Sequence, residues 1–167
     1  MATRSMIAQM DENGVTAKAV YCHWDGYLSN NGHILQTHYN SVKTRELIQL
    51  GDLSSLQAEI GTAHPFSRLE CNLNTEEWEA QYGNQCTFYG RDRGLYRTSF
   101  HIYDSFAKLI DAAEDCGGQF VYILRGEEWF YSKKQYSGGW TALESLSQAL
   151  EFDRLLEQAL TADNEEG

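Results

Sequence analysis

Two runs dominated by apolar residues, RSMIAQM (residues 4–10) and VTAKAVYCHW (residues 15–24), are of strand length, and along an extended chain their side chains point alternately to opposite faces. Between them lies DENG, and Asn13-Gly14 is a strong hairpin signal because both residues tolerate positive φ. The pattern predicts an antiparallel hairpin. On its second strand Val20, Cys22 and Trp24 share one face, read as core, while Tyr21, His23 and Asp25 share the other.

From Asn30 the period changes to that of helices. Asn30 or Asn31 caps a short helix through Tyr39, and Ser41 caps a second that Gly51 closes. Leu53, Leu56 and Ile60, at i, i+3 and i+7, predict a third helical turn. AHPFSRLECNLN reads as loop. Thr75 then caps EEWEAQYG, whose Glu76 and Glu77 lie where the helix dipole favours acids. QCTFYGRDRGLYRTSFHIY reads as strand, Gly-flanked loop and strand. Asp104 caps a helix with the stripe Phe106, Leu109, Ile110 and Ala113, closed by Gly117. QFVYILRGEEWFYSKKQY is a second hairpin, turning near Arg125-Gly126-Glu127. Thr141 and Glu144 form a capping box for a last helix whose stripe is Leu146, Ala149, Leu150, Phe152, Leu156 and Leu160.

Hairpins at both ends with capped helices between them predict the α+β class: one mostly antiparallel sheet with helices on one face. No repeat and no internal boundary is visible. Residues 1–160 are expected to form a single domain, and residues 161–167, TADNEEG, an acidic flexible tail.

Composition narrows the function classes. The 167 residues suffice for a sizeable core, and 13% are aromatic. No stretch reaches the length of a membrane span, and MATRSMIAQMDENG lacks the apolar run of a signal peptide, so a cytoplasmic protein is expected, without a membrane role. Cys22, Cys71, Cys86 and Cys116 form no C-x-x-C pair, which fits reduced thiols. A net charge of −11 argues against direct nucleic-acid binding, which needs a basic stripe.

Two dense stretches could carry chemistry. In YCHWDGY (residues 21–27), His23 and Asp25 fall on the same strand face, where a carboxylate can fix an imidazole as a general base or join it as a metal ligand. The structural alternative is a solvated strand end beginning a turn. His33 and His38 are five apart, one more than suits a shared metal on a helix; His64 and His101 show no ligand pattern. No metal and no cofactor is expected. In FYGRDRG (residues 88–94), Arg91 and Arg93 offer planar donors for phosphate or carboxylate, and Gly90 and Gly94 permit close backbone approach. The alternative is an internal clamp in which an arginine pairs with Asp25 or Asp92. Trp24, Tyr27 and Tyr89 lie close to these motifs in sequence and could stack on a base. P-loop, G-x-G-x-x-G, G-x-S-x-G and H-E-x-x-H signatures are absent from the sequence.

MATRSMIAQMDENG, AVYCHWDGYLSNNGHIL, LIQLGDLSSL, FYGRDRG and YILRGEEWFY together resemble a family of small accessory proteins carried by bacteriophages and prophages. The resemblance covers most of the chain and departs mainly in LECNLNTEEWEAQYGNQC. It implies a context of host takeover or counter-defence in the host cytoplasm, with no activity to carry over residue by residue. Three readings follow. The first is a binder that sequesters a small anionic, nucleotide-type ligand through Trp24, Tyr27, Tyr89, Arg91 and Arg93; a shared dimer surface would suit it. The second is an acidic inhibitor, a nucleic-acid mimic or interaction protein, that engages a basic host protein. The third is a hydrolase or transferase using His23 and Asp25. The lack of an evident nucleophile favours capture over turnover.

Overall fold

The structure, a computed structural model, describes residues 2–166, with side chains as far as Ala162. The first hairpin forms as its alternation requires. β1 (Arg4–Met10) pairs antiparallel with β2 (Ala17–Cys22) in the register Ile7 to Val20. In its turn the Asn13 Oδ1 accepts the Val15 and Thr16 N–H groups, and Gly14 takes φ +70°.

A π-helical turn (Leu28–Gly32) leads into α1 (His33–His38) and α2 (Ser41–Gln49). β3 (Leu53–Ser55), α3 (Thr75–Tyr82), β4 (Thr87–Phe88), β5 (His101–Tyr103) and α4 (Phe106–Asp115) follow. The second hairpin is β6 (Gly118–Arg125) with β7 (Glu128–Lys133), and the chain continues through β8 (Glu144–Ser145) into α5 (Leu146–Glu166). Among the described residues the strands make one mixed sheet in the order β4-β3-β2-β1-β6-β7-β8, with β5 also on β2. The pairings are antiparallel except β1 with β6 and β2 with β3, so the class is α+β and the sheet mostly antiparallel.

The larger core lies on one sheet face. Ile7, Val20, Cys22, Leu53, Phe88, Tyr122, Leu124 and Trp129 pack there against Leu35 of α1, Leu47 and Ile48 of α2, and Leu146 of α5. One helix departs from the expected single layer. The stripe of α4, Leu109 and Ala113, covers Met6, Ala8, Ala19, Val121 and Ile123 on the opposite face. Consecutive apolar residues in β1 (Met6, Ile7, Ala8) and β6 (Val121 to Leu124) point to opposite faces, so both faces are apolar and both need a cover.

Several local expectations change. Leu53, Leu56 and Ile60 do not form a helical turn: Leu53 is a strand residue between Cys22 and Phe88, and the sheet satisfies its backbone. Thr141 and Glu144 do not cap α5. The Thr141 hydroxyl accepts the Lys133 N–H, Glu144 lies in β8, and Ser145 Oγ accepts the Gln148 N–H. Asn40, Asn74 and Ser105 are the caps of α2, α3 and α4, each one residue from the expected Ser41 and Thr75 or, for α4, Asp104. In all three the cap residue has extended φ/ψ, which is what a cap needs. Trp24 leaves the core face because β2 ends at Cys22 and Asp25 turns the chain at φ +57°; its side chain is 44% exposed. The segment expected as a tail from Thr161 is helical through Glu166, and Gly167 lies outside the described residues.

Candidate functional site

The two motif stretches meet at one corner of the sheet, separated by β3. The His23 and Trp24 N–H groups donate to Leu53 O and Ser54 O, and the Tyr89 N–H donates to Asp52 O. Two inter-strand spacings therefore set them about 10 Å apart. They do not contribute as the sequence suggests.

Asp92 is the reason Arg91 is committed internally. Its carboxylate is fully buried and accepts the N–H groups of His64 (3.1 Å) and Phe88 (2.8 Å). Arg91 then donates twice to that carboxylate, Nε at 2.9 Å and Nη2 at 3.1 Å. Its remaining N–H groups go to Ile60 O, Gly61 O and Cys86 O, and its plane lies 4.6 Å over the Phe88 ring. A guanidinium with these partners ties three loop segments together and has no donor left for a ligand. The clamp reading of FYGRDRG therefore holds for Arg91.

Arg93 behaves differently. It is exposed, stacks 4.9 Å over the Phe66 ring, and makes no ion pair or hydrogen bond among the described residues. Phe66 in turn lies 5.6 Å from Tyr89. Burial raises the pKa of the Tyr89 hydroxyl, against a lowering influence of the neighbouring Ser54.

Across β3, the expected His23–Asp25 pair does not form. Nδ1 of His23 lies 2.6 Å from the Tyr21 hydroxyl, and the Trp24 ring stands edge-on 4.6 Å away. Burial, then the nearby Arg4 charge, push the His23 pKa down. Burial raises Tyr21 to about 12, against the pull of Arg4. Both shifts favour a protonated phenol donating to a neutral imidazole, the arrangement in which the ring's own proton sits on Nε2. The Asp25 backbone has left the strand, and its carbonyl accepts from Asn31 N. Gly26 beside it is a tight joint. Its N–H donates to Thr3 O, its carbonyl accepts from the Tyr122 hydroxyl at 2.6 Å, and a Cβ would sit 2.8 Å from that of Ser5. YCHWDGY is therefore largely a strand end locked to the core, with Tyr21, His23 and Trp24 left at the surface.

Alternation puts Arg4, Tyr21, His23, Asp52, Ser54 and Tyr89 on the sheet face that α4 covers only in part. Phe66 and Arg93 adjoin Tyr89, and the Arg4 charge acts on Tyr21 and His23, so these residues make a ring-bearing ledge with a guanidinium near each motif. Tyr27 is 42% exposed, and no ring pair joins it to Trp24 or Tyr89 among the described residues. Arg4 and Phe66 were not among the expected residues. The hairpin register, Ser5 to Cys22, carried one residue further sets Arg4 opposite His23 and was available in the sequence. Phe66 had only a weaker signal, a large ring in a loop after Pro65.

Three of the thiols are held in their protonated form by burial, Cys116 among them. Cys22 is raised to about 12 and Cys86 is also raised, both chiefly by burial. Among the described residues no group of three His, Cys, Asp or Glu could hold a metal, and no helix is long and apolar enough to cross a membrane. No protein-family model, curated protein or solved structure matches the chain.

Proposed function

We propose that the chain binds a small, planar anionic ligand of nucleotide type along this ledge, and holds it without transforming it. The observation that carries the reading is Arg93: an exposed guanidinium stacked on Phe66, without a hydrogen bond or ion pair among the described residues, in a chain of net charge −11. A free fork beside aromatic rings suits a phosphate with a base attached. Each ring that stacks on a base contributes roughly 1–3 kcal/mol. Trp24 and Tyr89 are the rings best placed for this, and Nε2–H of His23 adds a donor. Arg4 extends the positive end, while Arg91 supports the loop without touching the ligand. Capture is preferred to turnover because Nδ1 of His23 is taken up by the Tyr21 hydroxyl, Asp25 does not pair with it, and the buried thiols of Cys22 and Cys86 stay protonated. The phage-accessory context suggested by the motifs would make the ligand a host defence signal, sequestered in the cytoplasm.

Calorimetry and thermal shift against mononucleotides, cyclic dinucleotides and ADP-ribose derivatives test this. A ligand at a hundredfold its Kd adds about 2.7 kcal/mol, or roughly 5–10 °C for a chain of this size. Arg93→Ala and Tyr89→Ala should each weaken binding about tenfold or more, with the unliganded midpoint little changed in Arg93→Ala. Absence of a shift with every compound, or an undiminished shift in Arg93→Ala, removes the reading.

A further inference from the structure

The last helix carries more apolar surface than the body of the protein uses. Its first turn packs inward: Leu146 is fully buried and Ala149 and Leu150 lie against the larger core. From Glu151 to Ala162 every residue is exposed. Within that span Phe152, Leu155, Leu156 and Leu160 are 65, 51, 48 and 56% exposed. With Ala159 they occupy i, i+3, i+4, i+7 and i+8, a single stripe. At 3.6 residues per turn, the stripe is rotated about 100° from the side that faces the core. A groove of about 640 Å³ between α1 and α5, bordered by His33, Gln36, Leu150, Leu156 and Leu160, runs beside it.

The sixteen helical residues from Glu151 to Glu166 are close to the length at which an isolated helix is marginal in water, where most helix stability comes from packing an apolar face. The stripe therefore calls for a cover, and charge decides which. Glu151 borders it on one side and Asp153 on the other, with Glu157 further round. The single base in the span, Arg154, is already paired with Glu151 at 2.6 Å. A second copy of the chain would lay these acids against their own kind, and each copy carries −11 overall. A partner with the same apolar spacing and basic borders would instead gain from both terms.

We propose that the Phe152–Leu160 stripe of α5 docks a partner protein whose binding face is an apolar strip rimmed by lysine and arginine. This surface is separate from the ledge, so either can fail without the other.

The probes are three labelled peptides tested on the full chain by fluorescence anisotropy. Two share one amphipathic leucine spacing, with lysine in one and glutamate in the other at the polar positions. The third keeps the lysines but scrambles the leucines. The lysine amphipath should bind at least about tenfold more tightly than either control, and more weakly as salt rises. Phe152→Ser and Leu156→Asp should each reduce that binding about tenfold with the thermal midpoint unchanged, since both side chains are exposed. Equal binding of the scrambled peptide would reduce the effect to bare charge and overturn the proposal. So would no binding of the lysine amphipath, or binding that both variants retain. Sedimentation as a dimer that Leu156→Asp dissociates would assign the stripe to a second copy and overturn it as well.

Discussion

Replacing Asp92 by asparagine preserves its shape and removes the charge beneath Arg91. The carboxylate side chain is fully buried, and that of Arg91 is only 13% exposed. Removing one partner of such a pair leaves the other charge desolvated, at roughly 3–5 kcal/mol. Asp92→Asn should thus lower the thermal midpoint by about 10 °C. An unchanged midpoint would mean that Arg91 is not a clamp. Asp52, on the same corner, has the opposite character. Burial raises its pKa, although Oδ1 accepts the Tyr21 N–H and His101 lies near. A carboxylate raised on folding contributes stability below its unfolded pKa, and loses it as pH rises through the folded value. At neutral pH the ionised group is a burden. An asparagine side chain in its place would keep the acceptor without the charge. Asp52→Asn should therefore be more stable than the parent at pH 7, with the gain shrinking as pH falls through the carboxylate range. Denaturation across that range checks the sign; a gain that does not vary with pH would show that the charge is not the cause.

At the scale of elements, what was legible in the sequence is what local chemistry determines. Asn13-Gly14 and the alternation on either side specify β1 and β2 without reference to the rest of the chain, and the same holds for β6 and β7 around Gly126. β3 is the contrary case. It is three residues long, its Leu53 carries helical spacing with Leu56 and Ile60 beyond it, and it is a strand only because Cys22 and Phe88 flank it. The parallel pairing of β1 with β6 joins residues more than a hundred positions apart, so no window could show it. α4 was readable as amphipathic, but which sheet face it covers depends on that long-range pairing. The site divides in the same way. The concentration of rings and arginines is visible in the sequence, but spacing leaves Arg91 open to both clamp and binding loop. The answer came from Ile60, Gly61 and Cys86, acceptors that the fold delivers to Arg91 and that sequence spacing does not reveal.

Over the whole molecule, charge is distributed unevenly between a body and a projecting helix. Residues 151–167 contain six acids and one base, a net of −5 out of the chain's −11. Everything described from Glu151 to Ala162 is exposed, while the residues that anchor α5, Leu146, Ala149 and Leu150, precede that segment. Ending the chain after Leu150 should therefore remove almost half the net charge and almost none of the packed core. Two consequences can be measured together. The thermal midpoint at moderate salt should fall by no more than about 2–4 °C, the equivalent of about 1 kcal/mol for a chain of this length. Salt should also stabilise the truncated protein less than the full one, because screening has less self-repulsion to relieve. A large loss of stability would show that the overhanging helix is structural after all, packed on the body through Phe152 and the groove beside α1. In that event the exposed stripe would no longer need a partner. If stability is retained, the overhang is available for one.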